Sequence, residues 1–144
     1  MKKYDYTINM SQDIIDIDAA TFKDISLTAS ELSIRIKKNP SYELFVHYVN
    51  DTPAGYLGLM YVTTPHYEGA WIDLLAVHPN FQNKGIGKYM IDQAKSYIKD
   101  EKSSIEFISA LIRKHNFPSL NATKSQGFRS DGNGDFELLF YDME

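Results

Sequence analysis

The stretch from Trp71 to Lys88 constrains this chain more than any other. It opens as an apolar run, Trp71 to Val77, interrupted by one carboxylate, Asp73. Pro79 has no N–H to give to a sheet ladder, so the strand is predicted to stop before it. A glycine-bearing loop follows, Gln82 to Gly87, and then Ile86, Met90, Ala94, Tyr97 and Ile98 recur at helical spacing. Glycine between a strand and a helix lets the backbone turn tightly and come close to a ligand. The first N–H groups of a helix lack internal partners, and the macrodipole makes that end partly positive. The junction therefore reads as an anion site suited to phosphate.

Two common phosphate loops do not fit. A P-loop needs glycine five residues before its Gly-Lys pair and Ser or Thr after it; here those positions hold Gln82 and Tyr89 around Gly87-Lys88. A dinucleotide fingerprint needs a third glycine three residues after the second, and that residue is Met90. Gln82-x-x-Gly85-x-Gly87 after Leu75-Ala76-Val77-x-Pro79 is what remains.

The rest of the chain supplies a mixed α/β order. Tyr4, Tyr6 and Ile8 alternate as a first strand, Asn9 to Gln12 turn into a helix running to about Lys23, and Thr28-x-x-Glu31 forms a capping box for a second helix ending near Asn39-Pro40. Tyr42–Val49 and Ala54–Thr63 read as a hairpin about Asn50–Pro53, with a loop over Thr64–Gly69. After the glycine loop and its helix come a polar break at Lys99–Ser103 and an apolar strand at Ile105–Ile112. A short helix then starts at Asn116-Phe117-Pro118-Ser119 and stops at Gly127. Arg129 to Tyr141 read as a terminal hairpin about Asp131-Gly-Asn-Gly134. Hairpins beside a strand–helix–strand unit predict a mixed sheet. At 144 residues with 43% hydrophobic content, one domain over 1–144 is expected.

In this order the loop resembles the acetyl-CoA motif of the GNAT N-acetyltransferase superfamily. The resemblance implies the GNAT fold, an α/β (α+β) arrangement with a mixed central sheet of six to seven strands and about four helices. It implies that backbone N–H groups of Gln82, Asn83, Lys84, Gly85, Ile86, Gly87 and Lys88 cradle the pyrophosphate of acetyl-CoA. Leu75, Ala76 and Val77 would lie along the pantetheine arm as beside an added strand, which suits an open sheet edge. Lys84 and Lys88 either add charge near phosphate or are solvated surface lysines. Asn116 is implied to bond the pantetheine amide region, with Ser119 nearby; as a helix-start cap Asn116 has a second, structural reading. Many members carry a tyrosine four residues before Gly127 as the acid for the leaving thiolate, and this chain has Thr123 there. Tyr141, Tyr61 and Tyr67 are unranked substitutes.

Asp73 is the candidate base. A carboxylate in an apolar strand is either partnered or functional. An acceptor amine with a pKa near 10.4 is neutral in only about one molecule in 2,500 at pH 7, a penalty of roughly 4.6 kcal/mol that a nearby carboxylate can relieve. Alternation would put Asp73 on one face with Trp71, Leu75 and Val77. Glu68, in the loop, is a less specific alternative. His47, His66, His78 and His115 have no metal-ligand spacing, so no metal is expected.

Composition narrows the partners. Fifteen basic against nineteen acidic residues give a net charge of −4, which disfavours nucleic acid and suits cationic acceptors. There is no cysteine, hence no thiol nucleophile. Met1-Lys2-Lys3 is followed by polar residues, and no segment approaches a membrane span, so a cytoplasmic protein without a membrane partner is expected. A homodimer stays open. Three functions follow in order: an N-acetyltransferase acting on a primary amine, a non-catalytic acyl-CoA sensor, and a nucleotide-binding domain unrelated to CoA.

Overall fold

The computed structural model describes residues 1–22, 27–112 and 116–130. In chain order these form β1 (Lys2–Lys3), α1 (Ile8–Thr21), α2 (Ala29–Lys37), β2 (Tyr42–Val49), β3 (Thr52–Thr63) and β4 (Glu68–Val77). A single 3-10 turn (Pro79–Phe81), α3 (Ile86–Glu101), β5 (Phe107–Ala110) and α4 (Phe117–Ser125) follow. The five strands lie in sequence order in one sheet. The first four pair antiparallel, and β4 pairs with β5 in parallel. The mixed sheet and the four helices agree with expectation, and the described strands number five rather than six or seven. Arg129 and Ser130 carry no strand, and the remainder of the expected terminal hairpin lies outside the described residues. Among the described residues no helix is long and apolar enough to cross a membrane.

Each face of the sheet carries its own core. On one, Phe45, Leu57, Leu59 and Ile72 pack with Met90, Ile91, Ala94 and Ile98 of α3. On the other, Leu44, Val46, Tyr56 and Ala76 pack with Met10, Ile14 and Ile17 of α1 and Leu32 of α2. The period-2 pattern of the strands and the helical stripe of α3 are thus both spent on burial.

Local chemistry explains where the boundaries moved. The expected strand over Tyr4, Tyr6 and Ile8 does not form, and β1 lies before it, because Tyr6 takes a left-handed φ of 64° and Thr7 caps α1, its Oγ1 accepting from the Met10 N–H at 3.2 Å. Asp5 in turn accepts from the Thr7 N–H and hydroxyl. A cap with two supports outcompetes three alternating apolar residues. Thr28 and Glu31 form the predicted capping box. Asn50 and Asp51, at φ 48° and 63°, make the β2–β3 turn. β4 begins at Glu68, one residue before the predicted loop ends, and α3 runs into the expected polar break as far as Glu101.

One buried carboxylate organises the far end of α3. Glu43 accepts from Tyr97 Oη at 2.7 Å, Lys3 Nζ at 2.9 Å and Lys102 Nζ at 3.2 Å. Burial alone would raise its pKa; the hydrogen bonds from Lys3, Tyr97 and Lys102 overcome this and hold the carboxyl down at about 2, from an ordinary 4.5. A carboxyl depressed on folding contributes stability that is complete above its unfolded pKa and is lost as pH falls toward the folded one. Urea midpoints should therefore drop between pH 4.5 and about 2. Glu43→Gln should lower the midpoint near neutrality and flatten that stretch; an unaltered slope would mean that the cluster contributes nothing to acid unfolding.

Candidate active site

The site is made by a strand that stops matching its neighbour. In β4, Ile72 pairs with Leu59 and Leu74 with Gly58, leaving Asp73 as an extra residue opposite none. Such a bulge bends the strand and re-aims the side chains beyond it. Parallel pairing with β5 ends at the Ile72–Ala110 pair, immediately before the bulge. This is why the apolar run 105–112 yields a strand of only four residues. Beyond it β4 runs on to Val77 paired with β3 alone, so its other edge opens toward α4.

The bulge also corrects the expected face of Asp73. Alternation places it with Leu75 and Val77, but those two pack on the α3 side, whereas Leu74 and Ala76 pack on the α1–α2 side. Asp73 turns to the α1–α2 side, where its Oδ2 accepts from Tyr42 Oη at 2.7 Å. It is exposed, so it combines a structural partner with access from solvent.

The loop after β4 is folded back on the strand. Gln82 Nε2 donates to the Val77 carbonyl at 3.0 Å, and His78 Nδ1 accepts from the Asn80 N–H at 3.1 Å. Asn83 and Gly85 are left-handed, at φ 61° and 78°, and Gly85 is the N-cap of α3 with no side-chain cap. Among the described residues, the backbone N–H groups of 83–88 find no hydrogen-bond partner. A helix start without a capping side chain leaves these donors and the positive dipole end for an external anion.

Apart from Lys84, the residues that carry these donors border a cleft of about 420 Å³ between the open edge of β4 and α4. Leu75, Val77, Gln82, Asn83, Gly85, Ile86, Gly87, Lys88, Asn116 and Ser119 all line it. Gly87 is in its wall: a Cβ there would sit 3.7 Å from Val77 Cγ2, 3.8 Å from Ala122 Cβ and 4.0 Å from Leu75 Cδ2. Three expected residues stand apart. The Ala76 side chain is buried on the opposite face, Lys84 holds its ammonium 5.6 Å from the Phe81 ring centroid, and Asp73 is upstream of the cleft. Thr21 and Phe22, at the end of α1, also line it. No local signal marks them, because they arrive from more than fifty residues away in the chain. Phe117 and Pro118 also line it and could have been found, lying inside the Asn116–Ser119 motif.

Asn116 caps α4, its Oδ1 accepting from the Ser119 N–H at 3.4 Å. Thr123 is buried, and its hydroxyl donates to the Ser119 carbonyl at 2.7 Å. Spent inside the helix, that hydroxyl is not presented to the cleft. Thr123→Val should therefore leave turnover unchanged within about twofold and cost about 1 kcal/mol of stability; a large loss of rate would return Thr123 to the chemistry. Tyr61 and Tyr67 lie near the start of β4, roughly 16 Å or more from Leu75 at the usual rise per strand residue. Glu68 is there too, its N–H bonded to Glu106. Tyr141 and His115 lie outside the described residues. Among the described residues no cluster of three or more His, Asp or Glu is placed to hold a metal ion.

The site therefore belongs to an α/β domain in which a strand edge left open by its neighbour lies beside an uncapped helix start. The model of the acetyltransferase (GNAT) family matches residues 11–128, and the chain belongs to that family. The fold is shared with solved structures at low identity. An aminoglycoside acetyltransferase from an uncultured soil metagenomic sample, in complex with trehalose, superposes with a TM-score of 0.81 at 18% identity, over 99% of this chain and 95% of its own. A transcriptional regulator from Bacillus halodurans C-125 gives 0.76 at 18% identity, over 96% and 99%. A ribosomal-protein-alanine N-acetyltransferase from Brucella melitensis biovar Abortus 2308 gives 0.71 at 12%, over 92% and 94%. No curated protein sequence matches the chain.

Proposed function

We propose that this chain transfers an acetyl group from acetyl-CoA to a primary amine by direct attack within a ternary complex. The observation that carries this reading is the row of unpartnered N–H groups at 83–88, on residues that, Lys84 apart, line the same cleft as the open edge of β4. These donors suit a diphosphate, and the strand edge suits the amide-bearing pantetheine arm. The Asn116 carboxamide, held at the start of α4, stands across the cleft for one of those amides.

The amine approaches from the α1–α2 side, where Thr21 and Phe22 reach the cleft and where Asp73 turns. Asp73 is two residues, roughly 7 Å, from Leu75 along the strand. It takes one proton from the acceptor ammonium, directly or through water. The nitrogen lone pair then forms the C–N bond at the thioester carbon, and a backbone N–H near Leu75 meets the developing oxyanion. The C–S bond breaks with its electron pair on sulfur, and the second nitrogen proton neutralises the thiolate through water. A thiol with a pKa near 8.5 is a leaving group that does not require a protein acid.

Two substrates held in place supply much of the rate without a covalent enzyme intermediate. The deciding experiment is acetyl-CoA turnover, read as released thiol, against a library of primary amines. Turnover with any of them supports the transferase; a protein that does not bind acetyl-CoA at high concentration refutes it. A second reading has its own observation, the Thr123 hydroxyl locked to Ser119 where many relatives present a tyrosine. A non-catalytic acyl-CoA sensor would bind the coenzyme saturably and acetylate no amine in the library.

A further inference from the structure

We propose that Tyr42 is a positioning residue, holding the Asp73 carboxylate in one orientation for proton transfer, and that Gly58 exists to let it do so. The proposal rests on Asp73 being the proton acceptor. Tyr42 lies on β2, where it pairs across to Met60, while Gly58 on β3 pairs with Leu44 on one side and Leu74 on the other. Gly58 thus sits at the step in register that creates the bulge at Asp73. The Tyr42 ring leans diagonally over Gly58 to reach Asp73. A Cβ on Gly58 would stand 2.2 Å from Tyr42 Oη and 2.9 Å from Cζ, distances no side chain tolerates. Three strands contribute one residue each to this arrangement: the hydroxyl from β2, the gap from β3 and the carboxylate from β4.

The chemistry follows from the contact. An exposed aspartate on a bulge is otherwise free to change rotamer. A phenol donating to Oδ2 at 2.7 Å makes a charge-assisted hydrogen bond that restrains it and leaves Oδ1 to face an ammonium. Burial, and then the neighbouring Asp73, push the Tyr42 hydroxyl above the ordinary tyrosine range, so it stays a donor. Tyr42 needs no contact with either substrate to matter, because a misdirected base costs rate rather than binding.

The test is a double-mutant cycle on acetyl-CoA turnover with the best acceptor from the primary-amine library. Tyr42→Phe keeps the ring and its packing; it should lower kcat roughly 10- to 100-fold while leaving KM for acetyl-CoA unchanged. In an Asp73→Asn background the same change should add no further loss, since one pathway has already been cut. Gly58→Ala, with both reacting partners chemically intact, should reproduce the loss by displacing the ring; if it does not fold, Tyr42→Phe still decides. Full kcat in Tyr42→Phe beside an impaired Asp73→Asn overturns the positioning role and leaves the base intact. Losses that multiply in the double variant overturn it as well, because Tyr42 then acts independently of Asp73. Wild-type rates in Asp73→Asn, or no turnover with any amine, overturn the underlying reading and this proposal together.

Discussion

Gly87→Glu is expected to abolish acetyl-CoA binding while leaving the fold intact. In the wild-type protein, coenzyme at a hundredfold excess over its Kd should stabilise by about 2.7 kcal/mol, a rise in Tm of roughly 8 °C for a chain of this size. The variant should show none, and its turnover should fall below detection. A side chain at position 87 starts between Val77, Ala122 and Leu75, at ordinary contact distances, so the apo protein has room for it. Glutamate in the first turn of a helix is also favourable to the dipole. The same carboxylate would occupy the free N–H groups at 83–88 and repel a diphosphate. Gly87→Ala is the informative companion: removing a helical glycine should raise apo stability by up to about 1 kcal/mol while the methyl narrows the cleft and weakens binding. Gly85 is a poorer probe, because at φ 78° any side chain there strains the backbone whatever the ligand does. An undiminished acetyl-CoA shift in Gly87→Glu would sink the proposed site.

The second large effect is expected at Asp73. Asp73→Asn preserves shape and can still accept the hydrogen bond from Tyr42, so neither Tm nor the acetyl-CoA shift should move appreciably. What disappears is a base. Loss of a positioned general base typically costs 10²- to 10⁴-fold, and a kcat reduced by about that factor is expected, with KM for acetyl-CoA unchanged. The split matters, because an aspartate that only accepts from Tyr42 would keep that role as asparagine and lose no rate. Unchanged kinetics would remove Asp73 from the mechanism and leave it as the acceptor for a tyrosine hydroxyl.

Much of the fold was legible because burial and chain reversal are local codes. The run Tyr42–Val49 before its turn residues marked β2 at its observed ends, the Thr28–Glu31 box marked the start of α2, and the spacing from Ile86 to Ile98 marked α3. The first strand was misread for an equally local reason, a cap at Thr7 that outweighed the Tyr4–Tyr6–Ile8 alternation. The glycine loop between β4 and α3 was legible too, since glycine placement is a property of neighbouring residues.

What the sequence by itself determined was a strand with one carboxylate in it, a helix after it and a glycine loop between them. Only the tertiary structure decided which way the carboxylate faces. A bulge arises from the register between β3 and β4, and a shift of one residue exchanges the two faces of a sheet. For the same reason Tyr42, thirty-one residues from Asp73, and Thr21 and Phe22 at the cleft were invisible in the chain. Periodicity reports which residues are buried, but where two distant segments meet is set by how the strands align and where they part.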